Sequence, residues 1–113
     1  MAVTPAEFRA LALDLPEAVE GSHHGKTDFR LGGTVFATLG HPDAALAVVK
    51  LTPGEQEVRV EAEPGIFEPV SGAWGRQGYT KVRLEAADEA TMRGALLAAW
   101  RNVAPKRLLN PRR

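Results

Sequence analysis

The segment "EGSHHGKTDFRLGG", Glu20 to Gly33, holds the chain's densest set of chemically capable side chains. His23 and His24 are suited to general acid–base work or to metal ligation. Adjacent histidines diverge along an extended backbone, so a metal would need partners from elsewhere. Asp28, His41 and Asp43 are the nearby candidates, and no HExxH or comparable helical spacing accompanies them. The pair is read as a shaped loop, with one imidazole bonded to backbone and the other solvated, and no metal is expected.

A second cluster is "GAWGRQGYTKVRLE", Gly72 to Glu85. Trp74 and Arg76 among glycines could stack on a base or another planar ligand. The competing reading has Trp74 folded over the sheet edge as a lid, since tryptophan is highly buried on average. In either case Trp74 is expected to be more accessible than Trp100. The following strand alternates: Thr80, Val82 and Leu84 point one way, and Tyr79, Lys81, Arg83 and Glu85 the other. An outward aromatic–basic stripe of this kind can stack bases and neutralise phosphate, although the paired aromatics of an RNP motif are missing.

Other chemistries lack their residues. There is no cysteine, which removes disulfides, thiolate metal sites and cysteine nucleophiles. "RLGGT" has neither dinucleotide-binding nor P-loop spacing, and Ser22 and Ser71, the only serines, do not lie in GxSxG. Fourteen basic residues balance fourteen acidic ones, so the total does not mark a strongly basic nucleic-acid binder. The charge is nonetheless uneven. Arg101, Lys106, Arg107, Arg112 and Arg113 close the chain without an acid, and Glu55, Glu57, Glu61, Glu63 and Glu68 cluster around Arg59 alone. The basic end is read as a complement to a helix dipole followed by a solvated tail. No signal-like start or membrane-length apolar run is present, so a cytoplasmic location and no membrane partner are expected.

The elements that must position these residues can be read from caps and periods. "TPAE" gives Thr4 as N-cap, Pro5 in the first turn and Glu7 at the capping-box position of a helix that Pro16 ends, with Phe8, Leu11, Ala12 and Leu15 inward. Glu20 to Lys26 reads as a loop. "DFRL" and "TVFATL" read as a hairpin turned by Gly32-Gly33, and "AALAVVKL" as a third, central or doubly covered strand. "TPGE" repeats the helix start at Thr52, Pro53 and Glu55, and Pro64-Gly65 stops it. "IFEPV" and "YTKVRLE" are strands. Asp88 caps a long helix with Met92, Leu96, Ala99, Trp100 and Val103 inward, Pro105 ends it, and "KRLL" adds a turn. The order α-β-β-β-α-β-β-α predicts one α+β domain over residues 1–113. It has two layers, an antiparallel sheet of about five strands with helices on one face.

Taken together, "EFRALALDLPEAVEGSHHGKTDFRLGGTVFATLG", "VKLTPGEQ", "EPGIFEPVSGAWGRQGYTKVRLEAAD" and "LLAAWRNVAPKRL" resemble the MmcQ/YjbR family of small bacterial proteins. His24, Phe29, Gly33, Phe36, Trp74, Gly75, Arg101 and the Ala104–Lys106 turn are the positions that match its pattern. The resemblance implies a fold of the type shared with secretion chaperones. It also implies DNA binding, with no attached enzyme activity or cofactor.

The sequence reading is therefore a monomeric, non-enzymatic binding domain that contacts DNA weakly and non-specifically through backbone phosphates. Lys26, Arg30, Arg76, Lys81, Arg83, Lys106 and Arg107 are its candidate cations, Trp74 and Tyr79 its stacking groups, and His24 a neighbour of the surface. Two other readings stand beside it: a protein- or peptide-binding adaptor, and a small-ligand pocket or enzyme centred on His24 and Trp74.

Overall fold

The computed structural model describes residues 2–40 and 44–109. Nine-residue α1 (Pro5–Leu13) leads into β1 (Val19–His23), β2 (Lys26–Leu31), β3 (Thr34–Leu39) and β4 (Leu46–Lys50). Then come α2 (Pro53–Ala62), β5 (Phe67–Pro69), the short α3 (Ala73–Arg76), β6 (Tyr79–Arg83), a 3₁₀ turn at Leu84–Ala86, α4 (Glu89–Val103) and α5 (Lys106–Leu109). The helices start where the caps predict. The Thr4 hydroxyl accepts from the Glu7 amide at 3.1 Å while Glu7 accepts from the Thr4 amide at 2.8 Å. Thr52 and Glu55 repeat this box at the same distances, and Asp88 accepts from the Thr91 amide. Each box satisfies two of the amides that a helix start leaves without partners.

One six-stranded sheet runs in the order β1-β2-β3-β4-β6-β5, and every neighbouring pair is antiparallel. The sheet thus exceeds the five strands expected, because β1 occupies part of the stretch read as a loop. His24 and Gly25 both take positive φ, 52° and 77°. That geometry suits a two-residue turn whose twist matches its strands. Gly32 and Gly33 make the next hairpin in the same way, with φ of 58° and 84°.

Strand pairing sorts the side chains onto two faces. Phe29, Ala37, Val49 and Thr80 lie across neighbouring strands in one row, and Ala47, Val82 and Phe67 in another; all seven are buried. The register shifts at Phe29/Arg30, leaving Phe36 as an extra residue that can turn inward beside Ala37. Helices α1, α2 and α4 cover this face. Phe8 meets Phe29 edge-on with ring centroids 5.7 Å apart, and Trp100 donates from Nε1 to the Pro16 carbonyl at 3.0 Å. Gln56 of α2 donates from Nε2 to the Gly75 and Tyr79 carbonyls and to Thr80 Oγ1. A single side chain thereby fastens α2 to both α3 and β6. Among the described residues no helix is long and apolar enough to cross a membrane.

Candidate functional site: the open face of the sheet

The face opposite the helices carries no covering layer among the described residues. Its central row reads Gly21, Asp28, Thr38, Val48, Lys81 and Glu68 across the six strands. Alternation adds His23, Lys26, Arg30, Val35, Lys50, Tyr79 and Arg83 to the same side. Trp74, at the second position of α3, leans against this face. Its ring stands 5.0 Å from that of Tyr79 at an interplanar angle of 87°, and the residue is 59% exposed. The lid reading of Trp74 is thus not the observed one, whereas Trp100 is a core residue at 5% exposure.

Beneath Trp74 lies a shallow pocket of about 260 Å³, lined by His23, Lys26, Asp28, Val35, Thr38, Trp74 and Tyr79. Asp28 is 1% exposed. Its carboxylate accepts from Arg30 Nε at 2.8 Å and Nη2 at 3.0 Å, and Arg30 Nη2 also donates to the Ser22 carbonyl. This forked pairing satisfies a buried carboxylate that would otherwise be costly. Gly21 makes room for it, since a Cβ there would stand 3.0 Å from Asp28 Oδ1 and 3.1 Å from Arg30 Nε. The Asp28 hydrogen bonds, and then its charge, push the Arg30 guanidinium's pKa upward.

The candidate cations separate into four environments. Arg30 is engaged by Asp28. Lys81 and Arg83 share one exposed partner, with Nζ and Nη2 standing 3.7 Å and 3.6 Å from the Glu68 carboxylate. Lys26 and Arg76 have no carboxylate partner among the described residues. Arg107 is remote from this face: it grips Glu17 with two bonds of 2.8 Å, and with Lys106 it opens α5 on the helix layer. Arg112, Arg113, His41 and Asp43 lie outside the described residues.

His24 occupies the β1–β2 turn, and it is His23 that lines the pocket. The two imidazoles touch, with centroids 4.3 Å apart. No group of three or more His, Cys, Asp or Glu side chains among the described residues forms a metal-binding set. Sequence reasoning missed Lys50, whose Nζ lies 5.9 Å from the Tyr79 ring centroid. Its signal was available in the alternation of "LAVVK", where Ala47 and Val49 are buried and Lys50 shares the face of Val48. Thr38 and Val35 were missed too, because only pairing between strands brings them beneath Trp74.

A larger cavity of about 600 Å³ lies between the starts of α1 and α4, lined by Ala2, Val3, Glu7, Ala10, Leu11, Asp88, Glu89 and Ala90. Glu7 and Asp88 are engaged there in capping their own helices, which leaves a weaker set of groups for a ligand.

Fold and site together define a two-layer α+β domain with one sheet face left bare by the described residues. The YjbR family model matches residues 13–102, and the chain belongs to the YjbR family. The crystal structure of Deinococcus radiodurans protein DR2400, a DUF419 domain, shares the fold. Its TM-score is 0.77 at 17% identity, over 93% of this chain and 81% of that one. No curated protein matches the chain.

Proposed function

We propose that this is a non-enzymatic DNA-binding domain that holds the phosphate backbone on the open face of its sheet. The supporting observation is an aromatic pair, exposed Trp74 against half-buried Tyr79, with Lys26, Lys50, Lys81 and Arg83 on the same face and Arg76 beside Trp74. Among the described residues only Asp28 and Glu68 oppose these cations there, and Asp28 is already held by Arg30. The acids of α2, Glu55, Glu57 and Glu61, and its C-cap Glu63 belong to the helix layer. A protein of zero formal charge can still present a local positive field this way. A peptide adaptor is less well supported, because charged residues interrupt the apolar residues of this face, Val19, Val35, Leu46 and Val48.

Five cations give about three to five phosphate contacts, so a log–log salt slope of about −3 to −4.5 is expected with duplex DNA. Anisotropy titration of a labelled duplex at several salt concentrations measures it. Replacing Lys50 and Lys81 together by glutamine should weaken binding at least about tenfold at low salt and flatten the slope by about 2. Unchanged affinity in that variant would rule out this face. Absence of binding at low salt and high micromolar protein would rule out duplex DNA as the ligand.

Glu68 supplies an independent test with the opposite sign. It is the exposed carboxylate that both Lys81 and Arg83 approach. Glu68→Gln should therefore tighten binding severalfold and steepen the salt slope by up to about 1. Exposed ion pairs contribute little to stability, so its urea midpoint should stay near that of the wild type. Weaker binding by Glu68→Gln would contradict a phosphate-facing role for this edge.

A further inference from the structure

We infer that the pocket under Trp74 receives one unpaired nucleobase, so that the DNA held on this face is single-stranded. This rests on the DNA reading above and adds to it the form of the ligand. A duplex keeps its bases stacked and paired, so an exposed indole has no base face to meet unless the helix opens. The Trp74 ring meets Tyr79 edge-on, which leaves much of the indole uncovered. Base–aromatic stacking of this kind changes affinity by about five- to a hundredfold per base and tolerates any sequence.

The pocket's size and lining point the same way. At about 260 Å³ it falls below the about 300–1,000 Å³ of sites for drug-sized ligands, and suits a flat fragment with apolar faces and a polar edge. Trp74, Tyr79 and Val35 supply the apolar surface. Thr38 supplies a hydroxyl that both donates and accepts. Asp28 supplies a buried carboxylate with two of its roughly four acceptor positions taken by Arg30. The remaining capacity suits an exocyclic amine, the edge that cytosine offers to an acidic side chain. Lys26 at the pocket and Lys50 against Tyr79 are placed for phosphates adjoining the captured nucleotide. An unpaired base between two bound phosphates therefore uses every group that lines the pocket except His23. A duplex backbone uses only the cations.

The test is a three-way comparison by anisotropy at low salt. The probes are labelled oligo(dC) of about twelve nucleotides, within the about 4–16 that single-strand sites cover, an abasic strand of equal length, and a duplex of equal length. Oligo(dC) should bind at least about fivefold more tightly than either of the others and should quench tryptophan emission. Trp74→Ala should bring oligo(dC) down to the abasic level and abolish the quench, while Trp74→Phe should retain most of the preference. Circular dichroism of both variants checks that the fold persists. Equal binding of all three probes, or a preference that survives Trp74→Ala, would overturn the base pocket while leaving phosphate binding in place. If none of the three binds, the DNA reading falls as well.

Discussion

Trp100→Ala should lose about 3–5 kcal/mol of stability in urea unfolding, the range of large aromatic truncations in cores. Trp100 sits on the inner stripe of α4 with Met92, Leu96 and Ala99, all buried. Alanine would leave a ring-sized void between α4 and the end of α1. It would also remove the bond from Nε1 to the Pro16 carbonyl, which holds the chain where it leaves α1 for β1. The loss is a large share of the about 5–15 kcal/mol that holds a typical domain together. Trp74→Ala should cost much less, about 0.5–1.5 kcal/mol, because Trp74 is 59% exposed and its ring contact with Tyr79 is an edge-on one. Trp100→Phe separates packing from bonding. It keeps most of the apolar ring and should forfeit the hydrogen bond, worth about 1 kcal/mol, together with a modest packing loss. Equal losses for Trp100→Ala and Trp74→Ala, or the reverse order, would mean that the core is elsewhere.

The two tryptophans can be told apart from the amino-acid order alone because their neighbours in sequence differ. One lies on a helical apolar stripe and the other among glycines. The same local logic made both Thr-Pro-x-Glu helix starts legible, along with the Gly32-Gly33 hairpin and the alternation of Tyr79 to Arg83. Strand β1 was illegible for a physical reason. Every residue of "VEGSH" is exposed or half-buried, so no apolar period marks it. Its turn also uses His24 in the left-handed region, where asparagine or glycine is the usual signal. The site was readable as residue types and unreadable as an assembly. Lys26, Trp74, Tyr79 and Lys81 stood out for their chemistry. Lys50, Val35 and Thr38 join them only through pairing of β3, β4 and β6, which no local pattern encodes. Partnering was equally hidden. The Asp28–Arg30 pair is two residues apart and could be anticipated from strand alternation. The Glu17–Arg107 pair spans 90 residues, and a charge count sees in Arg107 only a free cation.

Gly75→Ala should be among the most damaging small substitutions in the protein, and it should reach the site as well as the fold. Gly75 is buried in α3, and a Cβ built there would stand 1.7 Å from the Val70 carbonyl oxygen and 2.8 Å from its carbon. Backbone cannot swing aside as a flexible side-chain end can. Val70 is held because its amide donates to the Tyr79 carbonyl at 3.0 Å. Gly75 is held because its own carbonyl accepts from Gln56 Nε2 at 3.0 Å. Relief of the clash therefore has to pull α3 away from β5 and β6, or break the Gln56 link to α2. The cost should lie at or above the upper end of the about 1–3 kcal/mol typical of overpacking. Because Trp74 precedes Gly75 directly, the displacement should also separate the indole from Tyr79, changing Trp74 emission and weakening oligo(dC) binding. Gly54→Ala is the matched control. Gly54 lies in α2, and a methyl group there would have nothing within 4 Å of it, so alanine should be neutral or stabilising by up to about 1 kcal/mol. Urea midpoints of the two variants, with amide exchange read along β5 and β6, decide the matter. A Gly75→Ala protein as stable as Gly54→Ala, with unchanged exchange at Tyr79, would show that the close approach of Val70 and Gly75 does not hold α3 in place.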